Sequence, residues 1–282
     1  MGTSASLPTP KGGKWTPVKN NITDCLGGGD ATPGQIVGGV VTAAKGLATN
    51  TPSPSRGPSS GGRGGSGGGG GGGSGGGRGG GGGGGGGRAR VGRGVSGLAG
   101  FGAAVAEGGL DAGLKSLGLD ELRGKTAAEV VARIAERLAE TSDGLEYELL
   151  SDAFRDTLLQ AAALEGDAGY SNLEAALQSF IETHGIEGLV SGFLTRYVFD
   201  RVWGLIESHV DRKADTQSEA VSLSSAVEQV CRTEVEGVIA DAKTQGRFDG
   251  IAWFDEEGRR IGRDIVADLE GRLAALDEGA LA

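Results

Sequence analysis

The sequence predicts an all-α fold, in which a C-terminal domain of about six or seven helices follows a long disordered arm rich in Gly, Pro and Ser. Apolar residues recur at intervals of three and four along the second half of the chain, which is the period of an amphipathic helix. Three segments there begin with the Ser/Thr-x-x-Glu pattern of a capping box. Strand-type alternation of apolar and polar residues is scarce.

Composition divides the chain into three parts. We predict a flexible N-terminal arm over residues 1–60, a Gly-rich tether with an Arg cluster over residues 61–94, and an all-helical domain over residues 95–282. Within residues 61–87, 23 of the 27 positions are glycine. Glycine loses more backbone freedom on ordering than any other residue and has no side chain to bury. This stretch therefore predicts a flexible tether.

The helices of the C-terminal domain can be placed in order. An Ala/Gly-rich helix near residues 95–107 is weakened by its glycines. Capping boxes predict helices that start at Thr126, Ser171 and Thr216, and Gly185 predicts the end of the second of these. Further predicted helices cover residues 145–164, 187–213 and 255–277. The helix over 187–213 is apolar around much of its circumference, so we expect it at the centre of the core.

Charge divides at nearly the same place as composition. Residues 1–93 carry ten Lys or Arg against two Asp, whereas the remainder carries 17 basic and 35 acidic side chains. A basic arm on an acidic body indicates an interaction arm. Candidate phosphate contacts in this arm are Arg63, Arg78, Arg88, Arg90 and Arg93. Aromatic residues for base stacking are missing, so a nucleic-acid-associated adaptor is the alternative rather than the leading interpretation.

No residue pattern indicates an enzyme. The two histidines, His184 and His209, are isolated near predicted helix ends, where a histidine more often interacts with the helix dipole than catalyses. Cys25 and Cys231 have no metal-type spacing and indicate no disulfide framework. A Walker-type phosphate loop is absent from the sequence. We expect neither catalytic residues nor a metal.

The sequence also lacks the signals of export and of membrane insertion. It has no apolar run of about 18 residues and no apolar region near its start. The first six residues match the pattern for N-myristoylation, but that modification needs eukaryotic machinery. We expect a cytoplasmic protein without a membrane partner.

The first residues offer a reactive amine. Removal of Met1 would expose the α-amino group of Gly2, which at an ordinary pKa of about 7.7–8.0 is partly neutral and nucleophilic near pH 7. Small residues follow, so this end could enter a narrow enzyme pocket, although any unstructured N-terminus has such features. Trp15, the only aromatic residue before Phe101, is either a candidate anchor for a partner's pocket or incidental.

Several of these segments together are similar to one protein family. They are the first six residues, the tail that carries Trp15, the Gly-rich spacer, and residues 98–140 and 180–203 of the helical part. In the last of these, aromatic and Arg residues alternate through FIETHGIEGLVSGFLTRYVFDRVW. With these features the chain resembles QatB, the small component of bacterial Qat anti-phage defence systems. The resemblance implies a non-catalytic defence component whose helical domain docks on partner proteins.

The resemblance also implies particular partners and a modification. Qat systems pair this component with an ATPase, a QueC-like enzyme and a TatD-like nuclease. Relatives of the QueC-like enzyme activate a carboxylate with ATP and join a 7-deazaguanine to a protein N-terminus by an amide. Gly2 would then be the modification acceptor, and the modifying enzyme would recognise Thr3 and Ser4. The Gly-rich tract would be the leash that lets Gly2 travel.

Overall fold

The computed structural model describes residues 10–47, 85–140, 142, 144–163 and 168–278. Within these ranges the regular elements are helices, and no strand occurs. The α-helices are α1 (Thr16–Leu26), α2 (Pro33–Ala44), α3 (Gly85–Leu117), α4 (Ala127–Ala139), α5 (Gly144–Ala162), α6 (Tyr170–Lys213), α7 (Gln217–Thr244) and α8 (Glu256–Glu278). Short 3-10 turns cover Gly13–Trp15 and Asp120–Leu122. The all-α prediction is confirmed, and α3–α8 are the helices predicted for the C-terminal domain.

Helix α6 lies at the centre of the core, as its apolar sequence predicts. Gly185, at φ 71° and ψ 177°, interrupts it at the residue where the sequence predicts a helix end. After this break, Phe193 and Tyr197 are fully buried. The ring of Phe193 stacks on Phe154 of α5 with the centroids 4.1 Å apart. A stacked aromatic pair contributes about 0.5–1.5 kcal/mol beyond its buried area and fixes α5 against α6.

Of the three predicted capping boxes, the one at Thr216 forms completely and the one at Thr126 forms only in its threonine half. At the start of α4, the hydroxyl of Thr126 accepts a hydrogen bond from the N–H of Glu129 at 3.3 Å. At the start of α7, Thr216 and Glu219 satisfy each other's backbone N–H groups and complete the box.

The box predicted at Ser171 is wrong. Helix α6 begins one residue earlier, at Tyr170, without a side-chain cap. The carboxylate of Glu174 instead accepts a hydrogen bond at 3.3 Å from the N–H of Leu110, where α3 resumes after a break at Gly108 and Gly109. Glu174 thus caps the resumed part of α3 and not the start of its own helix. The break in α3 leaves backbone N–H groups that need such a partner.

Residues 13–47 form an N-terminal hairpin and correct the flexible arm predicted for residues 1–60. Pro17 and Pro33 stand in the first turns of α1 and α2, where proline's fixed φ suits a helix and its missing N–H costs nothing. Thr32 and Gln35 form a complete capping box. The hairpin buries Val18, Ile22, Ile36, Val37, Val40, Val41 and Leu47. Each such side chain contributes about 1.5–3 kcal/mol on burial, which offsets the entropy of ordering this segment.

Helix α8 is contacted closely by α2 and α3 through glycines. A Cβ added to Gly92 in α3 would lie 2.8 Å from the backbone nitrogen of Arg263. A Cβ added to Gly38 in α2 would lie 2.9 Å from the backbone carbonyl carbon of Leu276. These glycines are therefore required for close approach of backbones. Because α3 begins at Gly85, the last part of the tether predicted over residues 61–94 is helical instead.

The interpretation of the Gly-rich tract as a leash for Gly2 is wrong for a topological reason. The tract follows the N-terminal hairpin along the chain, and the hairpin is packed into the core. Residues 48–84, here called the Gly-rich connection, therefore join two parts of the same body and do not lengthen the reach of Gly2.

Candidate functional site

The residues predicted to carry function fall into two groups. Outside the described residues lie Gly2, Thr3, Ser4, Arg63 and Arg78. The structure places Trp15 at the start of the hairpin and places Arg88, Arg90 and Arg93 in the first turns of α3. The roles assigned to all of them stay predictions.

The N-terminal end of the hairpin is fixed at Pro10. The Nζ of Lys19 donates a hydrogen bond to the backbone carbonyl of Pro10 at 2.9 Å. The N–H of Trp15 donates to the carbonyl of Gly12 at 3.1 Å, and its half-buried ring packs against the core of its own chain. Part of the surface that was predicted to anchor a partner is therefore used within the chain. Residues 1–9 join the body at Pro10.

His209 of α6 lies beside this end of the chain. The pKa of His209 is lowered, mainly by burial and further by the positive charges of Arg212, Lys19 and Lys213. A backbone hydrogen bond with Lys19 acts in the opposite direction. Its Nε2 is buried without a hydrogen-bond partner among the described residues. The imidazole is therefore neutral near pH 7 and sits where α1 meets α6.

The Arg residues at the start of α3 do not form one free cluster. The Nε of Arg88 donates to the carboxylate of Glu270 in α8. Arg93 is exposed, and its backbone carbonyl accepts a hydrogen bond from the hydroxyl of Ser96. A phosphate contact by Arg88 would compete with a carboxylate that is only 4% exposed.

That buried carboxylate holds both ends of the Gly-rich connection. Glu270 accepts a hydrogen bond from the backbone N–H of Leu47 at 2.9 Å, in addition to the one from Arg88. Leu47 is the last described residue before the connection, and Arg88 lies in the first turn after it. The two ends of a 37-residue connection therefore meet at a single side chain.

The same backbone segment is held from the other side by a buried guanidinium. The Nε of Arg201 in α6 donates to the carbonyl of Leu47 at 3.0 Å, and Arg201 is 3% exposed. Gly46, at φ 113°, brings the backbone so close that a Cβ would lie 2.9 Å from a carboxylate oxygen of Glu270. Leu47, Arg88, Arg201 and Glu270 are referred to below as the Glu270 junction.

A buried tyrosine extends the polar interactions near this junction. The hydroxyl of Tyr197, one turn before Arg201, donates a hydrogen bond to Glu146 of α5. Burial raises the pKa of Tyr197 well above its usual range, and the charge and hydrogen bond of Glu146 add to this, whereas Arg201 opposes it. Tyr197 therefore stays protonated and acts as a fixed donor.

A polar cleft of about 270 Å³ opens between α5, α6 and α7. Arg196 projects into it and bonds Asp200 at 2.8 Å and Asp156 at 3.3 Å. Burial raises the pKa of Asp200 to about 6, although Arg196 lowers it. Across the cleft, Arg232 pairs with Glu228 at 3.0 Å. The charges in this cleft are thus largely matched to one another.

The described residues contain no group of three His, Cys, Asp or Glu side chains placed to hold a metal ion. Cys231 is buried, and this burial raises its pKa to about 12, so its thiol stays protonated. None of the described helices combines the length and apolar character needed to cross a membrane.

Two charged residues of the Glu270 junction can be recognised as unusual from the sequence. Glu270 and Arg201 each stand on the apolar face of a helix, where a charge must find a partner. The partners themselves are 223 and 154 residues away from Leu47, so no local pattern could have identified them.

Together these features define an all-α protein whose N-terminal hairpin is held on a helical body by a buried carboxylate, Glu270, and a buried guanidinium, Arg201. A family model described as QatB, the Qat anti-phage system associated protein, matches residues 80–266. The chain belongs to this family, and it is therefore a component of an anti-phage defence system. Neither the curated proteins nor the solved structures contain a match to it. The hairpin lies before the matched span.

Proposed function

We propose that this chain is the acceptor component of a Qat system, in which a QueC-like enzyme attaches a 7-deazaguanine to the amine of Gly2. Membership of the QatB family carries the proposal. The Met-Gly start and the small residues Thr3 and Ser4 support it, since they give an amine that fits a narrow pocket. The helical body docks on other components of the system, which include the ATPase and the TatD-like nuclease.

The reaction is an amide-forming acyl transfer. The neutral amine of Gly2 attacks the carboxylate carbon of a deazaguanine that ATP has activated as an acyl adenylate. A C–N bond forms, the bond from that carbon to the phosphate oxygen breaks, AMP leaves, and the amine gives up a proton. An ordinary α-amino pKa of about 7.7–8.0 leaves enough neutral amine for this step near pH 7.

The attachment of the hairpin limits where the reaction can take place. Gly2 precedes the fixed carbonyl of Pro10 by eight residues. At about 3.3–3.6 Å per residue, the amine can lie no more than about 28 Å from Pro10 in any conformation of the chain. The modifying enzyme must therefore bring its active site close to α1.

Mass spectrometry of the full chain co-expressed with the QueC-like enzyme tests this proposal. We expect the N-terminal peptide to gain the mass of one amide-linked deazaguanine, and Gly2→Pro to abolish the gain because it replaces the primary amine by a ring nitrogen. Gly13→Ala is the matched control, since Gly13 is exposed and a Cβ there would meet no atom within 4 Å. An unmodified wild-type N-terminus beside an active enzyme contradicts the proposal.

A further inference from the structure

The N-terminal end of this acidic chain is exclusively basic. The whole chain has a net charge of −10, yet its first acidic residue is Asp24. Before it stand Lys11, Lys14 and Lys19. Lys11 and Lys14 are exposed, and neither forms an ion pair with any described residue. Their charges are therefore available to a partner.

The end of α6 places one further lysine, Lys213, near this segment, two residues after the acidic Asp211. Lys19 is tied to Pro10 by its Nζ, and its backbone is hydrogen-bonded to His209. Lys213 stands one turn after His209 at the end of α6, the helix against which α1 packs. A basic residue in the last turn of a helix is favoured by the helix dipole, which accounts for Lys213 but not for Lys11 or Lys14.

The short distance that Gly2 can reach from Pro10 means that these lysines lie close to any enzyme that modifies Gly2. Because Gly2 cannot lie further than about 28 Å from Pro10, any enzyme that admits Gly2 to an active site must face the surface around Pro10. That surface carries Lys11, Lys14, Lys19 and Lys213, here called the basic collar.

We infer that the basic collar is a docking surface for an acidic face of the enzyme that modifies the N-terminus. This inference rests on the proposed function and adds to it the surface that recruits the enzyme. Long-range attraction orients the two proteins before contact, so that Gly2 meets the active-site entrance at a higher rate.

The charge balance favours a protein over a nucleic acid as the partner. Nucleic-acid affinity comes from neutralising many phosphates, and the collar offers four Lys side chains on a chain whose net charge repels a polyanion. A patch of this size is sufficient to steer a protein, because a few rim charges change the association rate of protein pairs.

The test compares full-length chains with the purified enzyme. The collar variant combines Lys11→Glu, Lys14→Glu and Lys213→Glu. We expect its rate of modification at limiting substrate, and its affinity for the enzyme, to fall about tenfold or more at 50 mM salt, because reversed charges now repel. The difference should shrink at 500 mM salt, where the Debye length is only about 4 Å.

The control variant makes the same change in net charge on another part of the body, with Lys115→Glu, Lys125→Glu and Arg133→Glu. These side chains are exposed residues of α3, α4 and the segment between them. We expect the control to react as the wild type does, and the melting temperatures of both variants confirm that they are folded. Equal loss in both variants, or no loss in either, overturns the inference.

Two further outcomes separate this inference from the proposed function. If the wild type binds the enzyme but is not modified, the proposed function fails, and the affinities of the two variants alone decide the inference. If the wild type does not bind the enzyme at all, the inference fails. If the wild type, but not the collar variant, binds a DNA or RNA duplex at 50 mM salt while enzyme affinity is equal for both, the collar belongs to nucleic acid and the inference is overturned.

Discussion

The N–H of Leu47 donates a hydrogen bond at 2.9 Å to the carboxylate of Glu270, which stands 223 residues further along the chain. This contact joins the end of the N-terminal hairpin to the middle of α8, and the same carboxylate receives Arg88 from the start of α3. The residues just before and just after the Gly-rich connection are therefore both held at α8. The proposed acceptor amine belongs to the short segment that precedes Pro10 in the sequence.

Replacement of Glu270 by Gln should destabilise the protein by about 1–3 kcal/mol. The amide keeps the shape and can still accept from Leu47, but it removes the charge that faces Arg88 and leaves the nearby Arg201 without it. Urea unfolding measures the change. Asp264→Asn is the matched control, because it removes an exposed α8 carboxylate paired with Arg260 and should cost no more than about 0.5 kcal/mol. Equal effects of the two substitutions would show that the charge of Glu270 contributes nothing specific to the free energy of unfolding.

Shortening of the Gly-rich connection should stabilise the protein. Removal of residues 52–77 leaves 11 of 37 residues to join two ends that already meet at Glu270. The lower entropy cost of closing the loop predicts a gain of about 1 kcal/mol, seen as a higher melting temperature. The full-length variant Arg56→Ser/Arg63→Ser controls for the two charges lost and should melt as the wild type does. A deletion that unfolds the protein would contradict the arrangement of its ends.

The helices that the sequence predicted correctly are those whose evidence is local. Thr216 and Glu219 are neighbours on one turn, and the girdle of apolar residues around Phe193 is visible within a single helix. The Gly, Pro and Ser content of residues 1–60 favours a disordered arm and so hides the hairpin, although Pro17 and Pro33 also suit the first turn of a helix. Its capping box at Thr32 was the available signal.

The Glu270 junction could not have been predicted from such local patterns. Its partners come from four separate stretches of the chain and meet only in the folded state. The glycines of α3 also do not predict a single structure, because glycine occurs both in flexible tethers and where two helices approach closely. Gly92 shows the second use, because its neighbour in space is the backbone of Arg263.

Substitution of Gly38 by Ala should weaken the docking of the hairpin. The added Cβ would lie 2.9 Å from the backbone carbonyl carbon of Leu276, and backbone atoms on both sides cannot move aside cheaply. We expect a loss of about 1–3 kcal/mol in the free energy of unfolding. Gly271→Ala is the control: a Cβ there meets no atom within 4 Å, so the better helix former should raise stability by about 0.5–1 kcal/mol. A tolerated Gly38→Ala would mean that α2 and α8 are not in close contact.

The stability of the protein should depend on pH through Asp200. Burial raises the pKa of Asp200 to about 6, so the folded protein holds this proton more tightly than the unfolded chain does. Its contribution to the free energy of unfolding therefore falls as pH rises from about 4 to about 6, and stays low at higher pH.

Asp200→Asn isolates this effect because it removes the buried charge while Arg196 keeps Asp156 as a partner. Relative to the wild type, we expect the variant to gain about 1 kcal/mol at pH 7.5, after allowance for the partial exposure of Asp200, and the gain to vanish near pH 4. Urea unfolding across this range measures the difference. Asp268→Asn, which removes an exposed carboxylate paired with Arg247, corrects for the loss of one negative charge. A variant that is less stable at pH 7.5 would show that the ion pair with Arg196 outweighs the cost of burying Asp200.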